Sequence, residues 1–373
     1  VRTFTYDALP GRVVFGAGAA RTALAGEVER LGAGRVLVVA GEAEAGLADA
    51  LAAPLGDRVA GRFDRVRQHV PLEIAEAARA RARELGADLL LSVGGGSTTG
   101  TAKAVALTDR LPILAVPTTY AGSEMTPVWG LTEPAPGGSR KTTGTDRAVL
   151  PVVVVYDPEL TYSLPVDLTV ASGLNAMAHC VEAFWAPRAN PVTDALAAEG
   201  VAALARALPR LLADGTDAPG RHDALYGAWL AGAAFAAAGS GLHHKICHVL
   251  GGAYDLPHAP THAVVLPRVL AVNEPGAPEA ARRLARALLP DTTGGAPTGS
   301  APDSAAGRLI DLERALGAPA SLAEVGLAAA DLEPAVDLVA AAAGGDAVAD
   351  NPVPVDRALV DRILCSAWEG CLP

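Results

Sequence analysis

Four short runs of β-branched residues and leucine, spaced by stretches of helical composition, constrain this chain more than any other feature. Residues 35–39, 88–93, 112–116 and 152–156 are apolar almost without interruption, the pattern of strands covered on both faces. Between them, residues 72–85 form an Ala-, Arg- and Glu-rich amphipathic helix. Strand and helix in alternation build a parallel sheet with helices laid over it. After Asp157 and Pro158 the texture changes, and Ala-rich helical segments run onward with hardly any strand signal. The expected architecture is an α/β domain over residues 1–157 followed by an all-helical domain over residues 158–373.

The 373 residues suffice for two cores, and a chain that is 50% apolar and 19% charged is a folded globular one. Its net charge of -11 argues against nucleic acid or an anionic membrane surface as the main partner. There is no basic segment leading into an apolar run at the start and no stretch of eighteen apolar residues, so the expectation is a cytoplasmic protein. Cys180, Cys247, Cys365 and Cys371 make no Cys-x-x-Cys pair and read as reduced, mostly buried thiols. Residues 290–306, rich in Pro, Gly, Ser, Thr and Asp, read as a flexible surface insertion between helices.

Two polar loops carry the first chemical signal. Gly94, Gly95, Gly96, Ser97, Thr98, Thr99 and Gly100 follow the strand ending at Val93 and open a helix that includes Lys103. Glycines let a backbone approach a ligand closely, and the free N–H groups at a helix start suit phosphate oxygens, so a pyrophosphate is the natural guest. The next strand leads into Pro117, Thr118, Thr119, Tyr120, Ala121, Gly122 and Ser123. Loops at the carboxyl ends of neighbouring parallel strands converge on one crevice. Either loop alone also admits plain turn chemistry; together they mark Gly94, Gly95, Gly96, Ser97, Thr98, Lys103, Thr118, Thr119 and Ser123 as cofactor contacts.

The second signal is histidine. Of eight in the chain, His243, His244, His248 and His258 crowd together. His244 and His248 stand four apart on a helical stretch, and Asn175 and His179 repeat that spacing upstream, so each pair shares a helix face. Three imidazoles and a carboxylate would hold a divalent ion, but a neutral amide occupies the carboxylate position. The cluster is metal-shaped and under-charged.

These segments resemble a known family. Gly94 to Ser97, Pro117 to Thr119 with Gly122 to Glu124, and the two histidine segments are similar to the iron-containing alcohol dehydrogenase superfamily, which shares its architecture with dehydroquinate synthase. Residues 121–130, 140–144, 172–179 and 243–245 resemble its maleylacetate reductase branch, and the similarity runs from Tyr6 nearly to the end. The resemblance implies a dinucleotide-binding α/β domain, a helical domain, a cleft between them, NADH or NADPH as cofactor, and a homodimer. The metal ligands of metal-dependent relatives fall on Asn175, His179, His244 and His258, with His248 matching a further histidine near the nicotinamide. The branch has asparagine at the first of these positions and is regarded as working without metal, so no metal is expected. Arg268, where histidine is more usual, and the 290–306 insertion depart from the pattern.

The activity implied is reduction of maleylacetate, a small dicarboxylate, to 3-oxoadipate. Hydride addition to an alkene conjugated with a ketone builds charge on the carbonyl oxygen, which needs donors and a proton source. His244, His248, His179 and His258, with Asn175, are the residues expected to supply them. Lys245 is the first candidate for a substrate carboxylate, with Arg140 and Lys141 behind it; His262 matches no motif and is left out. The alternatives are a metal-dependent alcohol or polyol dehydrogenase in which Asn175 ligates through its amide oxygen, a dehydroquinate-synthase-like lyase or cyclase with no net NADH consumption, and a nucleotide sensor with an idle histidine cluster. Glu42, just past the strand ending at Ala40, is placed to meet the adenosine ribose, but Gly41 holds the nearer position; NADH against NADPH stays open.

Overall fold

In the computed structural model, which describes residues 3–9, 11–135, 138–289, 304–344 and 348–373, the four apolar runs become four interior strands of one sheet. The strands are β1 (Arg12–Phe15), β2 (Val36–Ala40), β3 (Val59–Phe63), β4 (Leu89–Gly94), β5 (Ile113–Pro117), β6 (Val128–Ala135), β7 (Gly138–Thr145) and β8 (Val153–Tyr156). Six form a parallel sheet in the order β1-β8-β5-β4-β2-β3. Every residue of β2, β4 and β5 is buried, which is why they read as unbroken apolar runs. The edge strands β1 and β3 are partly exposed and carry Arg12, Gly61 and Arg62, and neither stood out in the sequence.

Five helices accompany this sheet: α1 (Ala19–Thr22), α2 (Leu24–Arg30), α3 (Ala45–Ala52), α4 (Leu72–Glu84) and α5 (Gly96–Asp109). Leu24 and Val28 of α2 and Ala48 and Leu51 of α3 pack with Val36, Val38, Leu89, Leu91, Leu114 and Val153 into one core. The sheet grows from β2 to β3 on one side and from β2 to β4 on the other, so the order reverses at the β2/β4 boundary. Ligands of open α/β sheets bind at the carboxyl ends of strands at such a reversal.

The chain divides into a unit of residues 9–164 and a unit that joins residues 3–8 to residues 165–373. The boundary lies beyond the expected 157/158 because Asp157 belongs wholly to the sheet unit. Its carboxylate accepts from the N–H groups of Gly18 (3.0 Å), Ala20 (3.1 Å) and Glu159 (3.1 Å), which ties the turn after β8 back to α1. The antiparallel hairpin β6–β7 was also not expected. Its Thr-, Gly- and charge-rich strands lack the apolar alternation by which a strand is read.

The second unit is helical: α6 (Val166–Ala183), α7 (Pro191–Ala213), α8 (Ala218–Ala238), α9 (Leu242–Tyr254), α10 (His258–Asn273), α11 (Pro278–Ala287), α12 (Ala305–Ala315), α13 (Leu332–Ala343) and α14 (Arg357–Glu369). α7 and α8 approach closely where glycines face each other: a Cβ on Gly227 would lie 3.0 Å from the Gly200 carbonyl, and one on Gly200 would lie 2.6 Å from Cys180 Sγ. Leu242, Ile246 and Leu250 of α9 join α10, α13 and α14 in a further core. Among the described residues no single helix is long and apolar enough to cross a membrane.

Two sequence expectations change here. Of the insertion expected at 290–306, residues 290–303 lie outside the described residues; Ser304 caps α12 by accepting from the Gly307 N–H at 3.0 Å, and Ala305 and Ala306 are buried. The last residues of that stretch therefore start a packed helix. Arg268, flagged as a departure, is buried and donates to the carbonyls of Val264, Ala320 and Cys371 at 2.9 Å each. It staples three chain segments together, a structural role that leaves the substrate question untouched. Cys180 and Cys247 are buried, Cys365 is half-buried and Cys371 is exposed, all as free thiols.

Candidate active site

In the sheet unit, Gly94 pairs in register with Pro117, so the loops after β4 and β5 leave the sheet side by side. The Thr118 N–H donates to the Gly94 carbonyl at 3.2 Å and locks them together. Gly94 sits at φ 146°, in the region that favours glycine. A Cβ there would lie 2.5 Å from Thr98 Oγ1; one on Gly95 would lie 3.0 Å from Thr119 Cγ2, and one on Gly96 3.1 Å from Ala121 Cβ. The glycines thus serve two ends: they seat the second loop against the first, and they leave bare backbone at the head of α5. The Thr98 and Thr99 N–H groups turn back to the Gly95 carbonyl, so Gly96 and Ser97 hold the leading N–H groups of the helix, the arrangement that cradles a phosphate. A dinucleotide pyrophosphate fits this cradle.

The sequence candidates divide. Gly95, Gly96, Ser97, Thr119 and Ser123 are partly exposed around it, whereas Thr98 and Thr118 are buried, Thr98 beneath Gly94. Lys103 requires a correction. Its ammonium is buried and donates to the carbonyls of Ser123 (2.6 Å), Thr126 (2.7 Å) and Val128 (2.8 Å) and to Thr126 Oγ1 (3.1 Å). Burial pulls its pKa down to about 7, and the nearby Glu124 works against that pull. Lys103 holds the second loop from beneath and has no donor left for a phosphate. Glu124 is itself buried, accepts from Tyr156 Oη at 2.7 Å, and has its pKa raised by burial.

In the helical unit, Asn175, His179 and Glu182 stand on one face of α6, at successive spacings of four and three residues. The His179 ring stacks on His244 of α9 at 4.9 Å between centroids, and Phe235 of α8 lies 4.7 Å from His179. From α10, His262 reaches His243 at 4.8 Å and His244 at 5.0 Å, and His258 lies 4.2 Å from His262. His248, one turn beyond His244, is 6.0 Å from it and 6.4 Å from His258. Six of the eight histidines of the chain thus form one cluster. The sequence reading brought together four of them with Asn175; it passed over His243 and excluded His262. The missed signal is a spacing, since His262 follows His258 by four residues on the same helix.

Glu182 was missed as well, although it follows His179 by one helical turn. Its carboxylate is fully buried and accepts from the N–H groups of Gly241 (3.1 Å), His243 (2.7 Å) and His244 (3.4 Å) and from His244 Nδ1. A carboxylate at the head of α9 meets the positive end of that helix and satisfies its leading donors. It also selects the His244 tautomer with hydrogen on Nδ1, which leaves Nε2 buried without a protein partner. His243 donates from Nε2 to the His262 carbonyl at 3.1 Å. Asn175 Oδ1, His179 Nδ1, His243 Nδ1 and both ring nitrogens of His262 are likewise buried without protein partners. Burial, reinforced by the imidazoles of His248 and His258, pulls His244 down to about 3, while the Glu182 carboxylate against Nδ1 acts in the opposite sense. Burial takes His243 to about 3 and pushes His179 and His262 well below the usual range. Burial thus disfavours the charged form of each of these imidazoles, and several buried polar atoms have no protein partner.

Lys245, next to His244 on α9, is half-buried, and its side chain makes no hydrogen bond or ion pair among the described residues. Arg140 and Lys141 are exposed on β7 of the sheet unit, where Arg140 pairs with Glu133 at 3.2 Å.

The sheet unit with its glycine loop and the helical unit with its imidazole cluster each fall within a stretch that matches one family. Residues 10–158 match the model of the iron-containing alcohol dehydrogenases, and residues 169–368 match that of the C-terminal part of the Fe-containing alcohol dehydrogenase family. The chain belongs to the iron-containing alcohol dehydrogenase family, and it is an oxidoreductase. Within the family, it is 48% identical to the maleylacetate reductase of Sphingobium indicum over 99% of both chains, and 45% identical to that of Burkholderia cepacia over 100% of both. The crystal structure of maleylacetate reductase from Agrobacterium tumefaciens superposes with a TM-score of 0.91 at 42% identity, covering 100% of each chain.

Iron, which names the family, fits the donor set of this chain poorly. The positions expected from the resemblance to hold metal carry three imidazoles and the neutral Asn175 amide, and the carboxylate of the cluster, Glu182, is turned to backbone N–H groups and to His244 Nδ1. Among the described residues, the histidine, cysteine and carboxylate donors within 4.8 Å of one another belong to His243, His244 and His262, not to His179, His244 and His258. A divalent ion there would find no carboxylate ligand, since the Glu182 oxygens are taken by backbone N–H groups and His244 Nδ1.

Proposed function

We propose that this chain reduces maleylacetate to 3-oxoadipate with NADH or NADPH, without a catalytic metal. The observation that carries the reading is Asn175, a neutral amide where a metal site needs a carboxylate, on the α6 face that carries His179. Full-length identity to maleylacetate reductases supports the same substrate class.

NADH or NADPH, when bound, would supply a hydride to the alkene carbon β to the ketone. The electron pair then resides on the ketone oxygen as an enolate, and a proton delivered to the α-carbon completes 3-oxoadipate. Asn175 presents an amide N–H₂ to that oxygen, a hydrogen-bonding role suited to a delocalised enolate. His244, fixed by Glu182 through Nδ1, presents a bare Nε2 that accepts a hydrogen bond, and the exposed imidazoles of His248 and His258 supply the proton for the α-carbon. Lys245 contributes the charge for one substrate carboxylate.

The test is an assay of maleylacetate with each nucleotide on protein dialysed against chelator, with the product identified by mass. Retained activity and stoichiometric nucleotide oxidation are expected. Activity that disappears with chelation and returns with iron or zinc would replace this reading by a metal-dependent dehydrogenase, and turnover without net nucleotide oxidation by a lyase. Lys245→Met, which keeps chain length and removes charge, should raise KM and cost about 2 kcal/mol in kcat/KM, the order of a charged hydrogen bond. Unchanged kinetics in that variant would remove Lys245 from the site.

A further inference from the structure

Strand β2 ends at Ala40, in register with Val93 and therefore beside the glycine cradle that begins at Gly94. In sheets of this kind the ribose of the adenosine half lies over the end of the strand neighbouring the phosphate loop, where an acidic side chain receives its hydroxyls. The residue at that place is Gly41, which has no side chain to offer. The turn that follows supplies one. The Glu44 N–H donates to the Gly41 carbonyl at 3.2 Å and the Ala45 N–H to the Glu42 carbonyl at 3.4 Å, a tight turn into α3. It brings the Glu44 side chain back over Gly41, so that a Cβ on Gly41 would lie 2.7 Å from Glu44 Oε2. Glycine at 41 and the position of this carboxylate therefore go together.

Glu44 is half-buried and forms no hydrogen bond or ion pair through its carboxylate among the described residues. Arg62, which reaches the same helix through the Ala45 carbonyl at 3.3 Å, is held by Asp49 at 2.9 Å, so it brings no uncompensated positive charge. An unpaired carboxylate accepts hydrogen bonds from a vicinal diol and repels a phosphate monoester.

We propose that Glu44, seated by Gly41, is the residue that selects the cofactor, accepting from the 2′- and 3′-hydroxyls of the adenosine ribose and opposing a 2′-phosphate, so that the chain takes NADH over NADPH. This rests on the reading of Gly94 to Ser97 as the pyrophosphate cradle. The test is direct titration of the purified protein with NADH and with NADPH, followed by nicotinamide fluorescence in the absence of substrate. The parent should bind NADH more tightly, and Glu44→Gln should narrow the ratio of dissociation constants about tenfold, chiefly by tightening NADPH. Gly41→Ala, whose methyl displaces only the end of a flexible side chain, should move the ratio the same way. Glu42→Gln should leave it unchanged. Equal affinities in the parent, an unaltered ratio in Glu44→Gln, or a shift in Glu42→Gln alone would overturn the assignment. Binding of neither nucleotide by the folded parent would instead overturn the cradle, and this proposal with it.

Discussion

Three backbone N–H groups and one imidazole converge on the Glu182 carboxylate, and replacing one of its oxygens by an amide N–H₂ would set donor against donor. Glu182→Gln should therefore loosen the head of α9, release the His244 tautomer, and lower kcat at least about tenfold. Nucleotide affinity, which the proposed cradle in the sheet unit would carry, should hold. Steady-state kinetics beside cofactor titration would check this, and an unchanged kcat would deny Glu182 its positioning role. Glu313 on α12 is a second buried carboxyl, with Oε1 unpartnered and its pKa raised well above the usual range by burial, which the Arg268 charge opposes. A carboxyl raised in the folded state contributes stability that is present below its unfolded pKa and is lost as pH rises through its folded pKa. Glu313→Gln should thus raise the melting temperature at alkaline pH, and the gain should fade toward about pH 4, where the carboxyl is protonated in both states. A gain independent of pH would show that charge is not the cause. His262 and Glu182 were legible only as spacings, four after His258 and three after His179. A single helix face does not reveal what lies opposite it.

The loop after β5 owes its shape to one side chain on a neighbouring element. Removing the ammonium of Lys103 leaves three carbonyls and a hydroxyl without their donor. Lys103→Met should cost about 3 kcal/mol or more by denaturant unfolding and weaken nucleotide binding as the loop at 118–123 loses its support. Full stability with nucleotide binding abolished would return Lys103 to the phosphate contacts the sequence suggested. At this scale the interior strands were plain because burial on both faces forces an apolar run. The edge strands and the β6–β7 hairpin were not, since partial exposure frees their side chains to be polar. The Gly95 cradle shows the same limit: Thr119 packs where its Cβ would go, so a bulky residue there acts first on loop packing and only then on a ligand.

Exposed Phe4, Tyr6, Val152, Leu168 and Leu338, together with β1 and β3 as open sheet edges, leave apolar surface and backbone pairing groups suited to a second copy of the chain. A homodimer is expected, and light scattering across micromolar concentrations checks it; a monomer throughout would refute it. The chain boundary belongs to this scale too. Composition changes at Asp157, but the hydrogen bonds from Gly18 and Ala20 to its carboxylate keep the following turn with the sheet.

Periodicity, the glycine and threonine loops, and Asn175 with its histidines were enough to determine an α/β unit before a helical one, two polar loops at neighbouring strand ends, and a histidine cluster on the helices. Those are properties of local spacing and residue chemistry, and a linear chain displays them directly. The tertiary structure alone decided that Lys103 supports a loop, that His262 and Glu182 belong with His244, and that the Glu44 carboxylate lies over Gly41. Each depends on a contact that backbone geometry sets, across helices or back through a tight turn, and residue order carries no record of the distance.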